Sequence, residues 1–158
     1  MGTEEGGLRL AELTVQNLPA ATRITPAPGQ ERFVAPVVES VAEAYVNPTA
    51  WPRVVLDGDE VVGFVMANFD AANEVAAFRA GVWRLNVTAS AQGRGVGRFA
   101  VEQVADEARR RGFERITVLW ERGEGGPEGF YLRLGFVPEG ELFGETVGVL
   151  DLEPGPPR

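Results

Sequence analysis

The sequence predicts a mixed α/β domain with a sheet of about seven strands and about four helices. Its 158 residues are about the size of one domain, and 44% of them are hydrophobic, so a core can form without disulfides or metals. Segments in which every second residue is apolar are interspersed with segments in which apolar residues recur at helical spacing. Glycine- and proline-rich turns separate most of these segments.

The predicted strands are short apolar or alternating runs bounded by turn residues. They comprise residues 8–13, 51–56, 61–69, 80–88, 115–120, 136–143 and 146–152. Asp57-Gly58-Asp59-Glu60 is a strong turn signal and predicts a hairpin between the second and third strands. The last two strands are expected to form a pair around Gly144-Glu145.

Helical spacing predicts helices at residues 14–21, 35–45, 95–111 and 129–134. The third is the clearest, because Val96, Ala100 and Val104 share one apolar stripe and Gly112 follows the last turn. In the second, Pro36 suits the first turn, where no backbone N–H is needed. Because helices interrupt the series of strands, the sheet is expected to be mixed.

The absent residue types exclude several classes of enzyme. The chain has no Cys, no His and no Lys, so all 15 of its basic residues are Arg. Disulfides, thiolate nucleophiles, Ser-His-Asp triads, Schiff-base chemistry, Walker-type phosphate binding and Cys/His metal centres are therefore excluded. A site made of carboxylates alone is the one kind of metal site left open, and no metal is expected.

The net charge of −8 disfavours a nucleic-acid partner and suits a cationic substrate. No apolar run approaches the length of about 18 residues that a membrane-spanning helix needs, so no membrane association is expected. Residues 1–7 resemble neither a secretory signal nor a transit peptide, and a cytoplasmic location is predicted. One domain is expected over residues 1–152, followed by a disordered Pro/Gly-rich tail over residues 153–158.

A glycine-rich segment lies between a predicted strand and the clearest helix. It reads Gln92-Gly93-Arg94-Gly95-Val96-Gly97-Arg98. Glycines at such a position let backbone N–H groups converge on an anion, and the helix N-terminus adds about half a positive charge. Arg94 and Arg98 flank the segment and can add charge-assisted contacts. The segment predicts a phosphate site, and a turn that merely reverses the chain is the alternative.

The same segment also fits a dinucleotide-binding fingerprint. Gly95, Gly97 and Ala100 have the required spacing, and Glu121 follows the next strand. Residues 88–94, however, separate the strand from Gly95, whereas that fold places its first glycine close to the strand. Too little chain follows for a second nucleotide-binding half, so this interpretation is disfavoured.

Two motifs together make the sequence similar to a known family. The glycine-rich segment is followed, after the next predicted strand, by Phe130-Tyr131-Leu132-Arg133-Leu134-Gly135-Phe136. Over residues 8–152 the chain resembles the GNAT superfamily of acetyl-CoA-dependent N-acetyltransferases, whose pyrophosphate loop reads Gln/Arg-x-x-Gly-x-Gly/Ala. The resemblance implies a mostly antiparallel central sheet, with acetyl-CoA as the co-substrate.

The resemblance also implies which residues bind the cofactor. Backbone groups of Leu85, Asn86 and Val87 are expected to bind the pantetheine arm, as an added strand would. The pyrophosphate is expected to contact the residues of the loop, namely Gln92, Gly93, Arg94, Gly95, Val96, Gly97 and Arg98. Glu124 and Pro127 stand where family members commonly have Asn and Ala. The acidic side chain of Glu124 is expected either to contribute nothing to the groove or to repel the cofactor.

Acetyl transfer needs a proton donor for the departing thiolate and an amine that has lost its proton. In the family, a tyrosine often lies near the thioester sulfur, so Tyr131 is the expected general acid; a ring that only packs in the protein is the alternative. With no His, the amine proton is removed by a carboxylate, directly or through water, or else the neutral fraction of the amine is captured. The candidate bases are Glu31, Glu39, Glu43 and Asp70, and for each the alternative is a solvated surface carboxylate.

Several other side chains have two interpretations. Aromatic residues could line an acceptor pocket or belong to the core: Phe33, Tyr45, Trp51 and Trp83. Asn86, in an otherwise apolar strand, either faces the acceptor or points to solvent from a β-bulge. Arg109, Arg110 and Arg111 are expected to form a solvated helix end and not a nucleic-acid patch.

The leading hypothesis is acetyl transfer from acetyl-CoA to a primary amine of a small acceptor in a ternary complex, since no usual covalent nucleophile is present. Residues 30–35, 40–45 and 62–66 resemble bacterial diamine and polyamine acetyltransferases, so those amines are favoured over an amino acid, an aminoglycoside-like amine or a protein N-terminus. The alternatives are a CoA-binding sensor or degenerate module without turnover, and a purely structural domain. A homodimer through edge strands is left open.

Overall fold

The computed structural model describes residues 7–154 of the chain. The expectations for the N-terminal signal region up to residue 6 and for tail residues 155–158 therefore lie outside the described residues. At the start of the predicted tail, the carbonyl of Glu153 accepts a hydrogen bond from Arg109 Nε at 2.8 Å. The C-terminal end of the last strand is thereby tied to the helix that packs beside it.

Within this range the strands form a single sheet. They are β1 (Leu8–Ala11), β2 (Ala50–Asp57), β3 (Glu60–Phe69), β4 (Ala80–Val87), β5 (Arg115–Trp120), β6 (Val137–Leu142) and β7 (Glu145–Asp151). Their order across the sheet is β1-β2-β3-β4-β5-β7-β6, and every neighbouring pair is antiparallel except β4 and β5. The prediction of a mixed, mostly antiparallel sheet is confirmed.

Four helices accompany the sheet in the described residues. They are α1 (Leu18–Thr22), α2 (Val37–Val46), α3 (Val96–Arg110) and α4 (Glu128–Arg133). Short 3-10 turns at Glu31–Phe33, Ala76–Phe78 and Ala89–Ala91 were not expected from the sequence. Among residues 7–154 no helix has both the length and the apolar composition required to cross a bilayer.

Two predicted boundaries are wrong for local reasons. The first strand ends at Ala11 and the first helix begins only at Leu18, because Thr14 and Asn17 form a turn between them. In that turn the Thr14 N–H donates to Asn17 Oδ1 at 2.9 Å, and the Asn17 N–H donates to Thr14 Oγ1 at 3.1 Å. The final hairpin turns at Phe143-Gly144 and not at Gly144-Glu145, since Leu142 pairs with Glu145.

The sheet buries apolar side chains on both faces. On one face, Val55 and Val65 belong to a core cluster with the apolar stripe of α3 and with Tyr131 of α4. On the other face, their neighbours Val54 and Phe64 belong to a second cluster with α1 and α2. Because successive strand residues point to opposite faces, α3 and α4 lie on one side of the sheet and α1 and α2 on the other.

The middle of the sheet divides in two. β4 and β5 pair only at Gly81 with Thr117 and at Val82 with Val118. Beyond these positions β4 pairs with β3 alone and β5 pairs with β7 alone. Trp83 has no partner in the pairing of β4 with β3, because Arg84 pairs with Met66 and Val82 with Ala67. Trp83 therefore forms a β-bulge, which bends the strand. The two halves of the sheet therefore separate directly after their only parallel contact, and the backbone edges of both strands are left open.

Candidate active site

An open cleft with a volume of about 710 Å³ lies where β4 and β5 separate. Its walls come from the end of β4, the segment before α3, the end of β5 and the start of α4. Its lining includes Leu85, Asn86, Val87, Gln92, Gly93, Gly95, Val96, Gly97, Arg98 and Tyr131. The structure thus brings together every predicted site residue except Arg94.

The glycine-rich segment presents unused backbone donors. In residues 7–154, no protein oxygen accepts a hydrogen bond from the backbone N–H of any residue from Gly93 to Arg98. The first bond of α3 is donated by the Phe99 N–H to the Gly95 carbonyl at 3.0 Å. Free amides at the N-terminus of a 15-residue helix, together with its dipole, form a site for an anion.

Two of the glycines are required by backbone geometry and one by packing. Gly93 and Gly95 have φ values of +81° and +86°, a left-handed conformation that side chains disfavour. Gly97 has an ordinary φ, but a Cβ at this position would lie 3.0 Å from Phe130 Cζ on α4. The glycines therefore shape the loop and also allow α4 to approach the first turn of α3.

The Gln92 side chain joins the loop to its surroundings. The Gln92 N–H donates to the Ala89 carbonyl, so this amide is not among the free donors. Gln92 Nε2 donates to Gln30 Oε1 at 3.0 Å and to the Val87 carbonyl at 3.2 Å. These bonds tie the loop to β4 and to the segment before α2.

The Arg94 side chain, predicted to add to the anion site, forms an ion pair elsewhere. Its guanidinium pairs with Asp57 at the end of β2 at 2.9 Å and does not line the cleft. The Arg98 side chain does line the cleft and pairs with Glu102 at 3.2 Å, one helical turn away. Of the two arginines, Arg98 alone is placed to add positive charge to the cleft.

The end of β4 offers backbone groups to the cleft at alternate residues. The Thr88 N–H donates to the Val62 carbonyl, and Val87 is paired with Gly63. Since hydrogen-bonded and non-hydrogen-bonded pairs alternate in an antiparallel ladder, the backbone groups of Leu85 and Val87 face the open edge. Those of Asn86 face β3, so the expected backbone contact from Asn86 does not follow from the strand geometry.

The Asn86 side chain is buried, with only 4% of its surface exposed. Its Nδ2 donates to the Ala35 carbonyl at 2.9 Å, just before α2 begins, and its Oδ1 has no partner. The interpretation of Asn86 as a solvent-facing bulge residue is wrong, because the bulge lies at Trp83. Asn86 ties the strand that borders the cleft to the start of α2.

Tyr131 packs its ring and also lines the cleft. The ring stacks on Trp120 at a centroid distance of 5.6 Å with 10° between the planes, and meets Phe136 edge-on at 5.5 Å. The residue is 6% exposed, and burial raises the pKa of its phenol well above the usual range. The hydroxyl therefore stays protonated at physiological pH, so it can give a proton or a hydrogen bond but cannot act as a phenolate base.

A second cavity, of about 730 Å³, opens on the other side of the strand division. It is bordered by the 3-10 turn before β4, the N-terminal part of β4, the end of β5 and the β6–β7 turn. Eight residues line both cavities: Phe33, Val34, Trp83, Arg84, Val118, Leu119, Glu121 and Glu145. The two cavities therefore meet where β4 and β5 separate.

The family follows from the sequence that builds this site. A sequence profile described as the acetyltransferase (GNAT) family matches residues 18–136, well over half of the chain. The chain belongs to this family. As a GNAT enzyme it is an acyl-CoA-dependent N-acetyltransferase with acetyl-CoA as its co-substrate, which confirms the prediction from the two motifs. A comparison with curated protein sequences gives no significant match.

Solved structures share the GNAT fold over nearly their whole length. An acetyltransferase from Thermus thermophilus has 22% identity and a TM-score of 0.69, covering 92% of this chain and 97% of its own. The PaiA N-acetyltransferase of Thermoplasma acidophilum, in complex with coenzyme A, has 13% identity and a TM-score of 0.68; the match covers 91% of this chain and 98% of that protein. YncA of Salmonella typhimurium, with its cofactor acetyl-CoA, has 20% identity and a TM-score of 0.62; the match covers 93% of this chain and 95% of that protein.

Of the carboxylates proposed from the sequence, only Glu39 lines the second cavity. Glu31 accepts a hydrogen bond from the Gly29 N–H, Glu43 pairs with Arg84 at 2.9 Å, and Asp70 accepts from Asn73 Nδ2. Sequence reasoning named Glu121 only within the disfavoured dinucleotide fingerprint and missed Glu145, and both residues line both cavities of this GNAT enzyme. Glu145 directly follows the turn glycine and is the first residue of β7. It was not predicted because the sequence there signals only a turn, which gives no indication of a site.

Of the four aromatic residues proposed to line an acceptor pocket, two line the cavities and two do not. Phe33 and Trp83 line both cavities, whereas Trp51 is a core residue, 9% exposed, and Tyr45 is 90% exposed on α2, outside both cavities. Of the two departures from the GNAT pattern, Pro127 lines the cleft before α4, and Glu124 is exposed and does not line it.

In residues 7–154 no group of three or more acidic side chains is arranged to hold a metal ion.

Proposed function

We propose that the protein transfers an acetyl group from acetyl-CoA to a primary amine of a small cationic acceptor, with diamines and polyamines favoured. The observation that carries this proposal is the meeting of two cavities at the strand division. One cavity presents the free amides before α3, and the other contains Glu39 together with Glu121 and Glu145, which also line the first. Two cavities that meet let both substrates be bound at once, which supports transfer in a ternary complex.

The cleft has the groups that acetyl-CoA needs. The amides from Gly93 to Arg98 suit its pyrophosphate, and the open edge of β4 at Leu85 and Val87 suits the amides of its pantetheine arm. The co-substrate supplies the acetyl group as a thioester. The chain's own residues orient that thioester toward the second cavity.

Charge in the second cavity supports a cationic acceptor. Arg32 pairs with Glu121 at 2.9 Å, and Arg84 pairs with Glu43, so the arginines of the lining are compensated. Glu39 and Glu145 have no ion-pair partner within residues 7–154. Two uncompensated carboxylates attract an ammonium group, and a diamine or polyamine carries more than one.

Glu145 is our proposed general base. It is partly buried and lines both cavities, and their junction is where we propose that the acceptor amine meets the thioester. Its carboxylate takes a proton from the ammonium group, directly or through one water molecule, and so generates the neutral nucleophile. Glu39, which lines only the acceptor cavity, is suited to holding a second ammonium group.

Tyr131 is our proposed proton donor to the departing thiolate. Its phenol is buried and protonated, and its ring is held by Trp120 and Phe136. A fixed hydroxyl gives a hydrogen bond to developing negative charge without first having to be oriented. A thiolate desolvated in the same surroundings would also have a raised pKa, which would favour proton transfer from the phenol.

A thiol-release assay over a panel of amines, together with calorimetry of acetyl-CoA binding, tests this function. We expect acetyl-CoA to bind and coenzyme A to be released with diamines and polyamines, and more slowly with amino acids. Binding without release on any amine would support the alternative, a CoA-binding module without turnover. No binding at all would contradict both.

The features of the β6 edge of the sheet argue against a homodimer that pairs through it. β6 is one edge of the sheet, and it carries Pro138, Glu139 and Glu141 as well as a shift in register between Pro138 and Gly140. Proline, charge and irregular pairing are devices that prevent edge-to-edge association. A dimer through this edge is therefore disfavoured.

A further inference from the structure

The turn between β6 and β7 holds an aromatic residue in a conformation that disfavours it. Phe143 and Gly144 form a two-residue turn with φ values of +53° and +78°, between the paired residues Leu142 and Glu145. Turns with two left-handed residues prefer Asn-Gly, Asp-Gly or Gly-Gly. Among the described residues Phe143 is the only non-glycine residue with a positive φ. The geometry of the turn does not explain a phenylalanine.

Burial does not explain it either. The side chain of Phe143 is 82% exposed and belongs to neither core cluster. Its ring lies parallel to that of Phe78, with 6.2 Å between centroids and 4° between planes. Strained residues that gain nothing from the core are concentrated at functional sites. What Phe78 and Phe143 share is a cavity, since both line the second one.

Phe78 is held rigidly at this position. It ends the 3-10 turn before β4, and its carbonyl accepts a hydrogen bond from Asn68 Nδ2 at 2.8 Å. The neighbouring carbonyl of Ala77 accepts a bond from Thr117 Oγ1 on β5. Side chains from β3 and β5 therefore hold the 3-10 turn, and the ring of Phe78 forms a firm support for that of Phe143.

The rings and the carboxylates of this cavity together indicate the chemical class of its ligand. The same cavity contains Glu39 and Glu145, and Glu145 follows Phe143 by two residues. A flat apolar wall beside uncompensated negative charge complements a cation with an aliphatic stem, since the stem is desolvated on the rings while the ammonium faces the carboxylates.

We propose that Phe143, supported by Phe78, is a specificity-determining residue that holds the aliphatic stem of the acceptor. The inference rests on the proposed function, because it assigns a role within acceptor binding. Phe143 selects among amines by the length of the stem and takes no part in proton transfer.

The test compares kcat/KM for cadaverine with kcat/KM for methylamine in the purified full-length enzyme. Phe143→Asn removes the ring and places in the turn a residue that suits its conformation. We expect the ratio of the two kcat/KM values to fall about tenfold, since contacts with a few methylene groups are worth at least that much. The melting temperature is expected to stay the same or to rise, because the left-handed strain is relieved.

Phe143→Tyr keeps the ring and is expected to restore the wild-type ratio. Tyr45→Ala, which removes an exposed aromatic ring outside both cavities, controls for loss of exposed apolar surface. An unchanged ratio in Phe143→Asn, or an equal loss for both amines together with a lower melting temperature, would overturn the specificity role. If the wild-type enzyme acetylates neither amine, the proposed function fails as well, so the two failures are distinguishable.

Discussion

Gly81 of β4 and Thr117 of β5 pair at the point from which the two halves of the sheet separate. They approach so closely that a Cβ on Gly81 would collide with the Thr117 carbonyl oxygen and would lie 2.7 Å from its Oγ1. One residue further, after Val82 pairs with Val118, the two strands separate and each keeps only its other neighbour, and both cavities border the opening. The position of the candidate active site therefore depends on a contact that only glycine allows.

Gly81→Ala is expected to lower the free energy of unfolding by at least about 2 kcal/mol, because a side chain at this position overpacks against backbone that cannot move aside. Acetyl-CoA binding should weaken as well, since the strands that border the cleft are pushed apart. Gly129→Ala on α4 is the control, because the atom that its Cβ meets belongs to the flexible end of Arg133. Denaturant unfolding of both variants measures the difference, and equal stability would contradict the prediction.

Arg98→Ala and Arg94→Ala are expected to differ. The Arg98 side chain lines the cleft, whereas that of Arg94 is held by Asp57. Removal of a charge-assisted phosphate contact should raise the KM for acetyl-CoA by about tenfold in Arg98→Ala. Arg94→Ala should change this KM by less than about twofold, since an exposed ion pair contributes little. Steady-state kinetics with varied acetyl-CoA decides between them, and the reverse order would count against the proposed cofactor contacts.

Glu145→Gln is expected to lower kcat by about a hundredfold or more at neutral pH, since it removes the proposed general base. The loss should shrink as the pH rises, because more of the amine is then neutral without help. Glu141→Gln is the matched control, because Glu141 is an exposed residue of β6 that lines neither cavity. A pH–rate profile that is the same for wild type and Glu145→Gln would remove Glu145 from the mechanism.

Tyr131→Phe separates the packing of the ring from the role of the hydroxyl. The aromatic contacts with Trp120 and Phe136 are retained, so the melting temperature should change little. If the hydroxyl donates a proton to the thiolate, kcat should fall by about a hundredfold or more. Turnover within about twofold of wild type would leave Tyr131 with the packing role alone.

The stability of the protein is expected to fall at alkaline pH because of the same phenol. Burial raises the pKa of Tyr131 in the folded state, while in the unfolded chain its pKa is about 10. Above that pH the unfolded state binds fewer protons than the folded state, so the free energy of unfolding decreases by about 1.4 kcal/mol per pH unit. Below it the phenol contributes no pH dependence.

Denaturant titrations at several alkaline pH values measure this slope. Tyr131→Phe should show a smaller decrease in stability above pH ~10 than the wild-type protein. Tyr45→Phe should keep the full decrease, because Tyr45 is 90% exposed. In that variant Tyr131 is the only tyrosine, so phenolate absorbance should appear only as the protein unfolds. Phenolate absorbance from the folded protein would contradict the burial argument.

The elements of the fold were largely predictable, because local interactions define them. The stripe of Val96, Ala100 and Val104 identifies α3, and the boundaries of that helix differ from the prediction by one residue at each end. The errors lie where a side chain competes with regular structure, as Asn17 does in the turn before α1. The sequence pattern places Phe143 in a strand, since an aromatic residue is a poor signal for a left-handed turn.

The sequence by itself determined the chemistry available to the site. The glycines before α3, the tyrosine of α4 and the absence of Cys, His and Lys restrict that chemistry to phosphate binding by amides and proton transfer by carboxylates and a phenol. These are properties of residue type and short spacing, which do not depend on what packs against them.

Only the tertiary structure decided which of the predicted residues act together. It directed Arg94 to Asp57, Asn86 to the start of α2 and Glu145 to the junction of the two cavities. Each of these placements brings together segments far apart in the chain, and the position of the cavity junction depends on where the strands separate. That point is set by a bulge at Trp83 and by the close approach of Gly81 to Thr117, which arise from packing across the sheet and leave no periodic signal in the sequence.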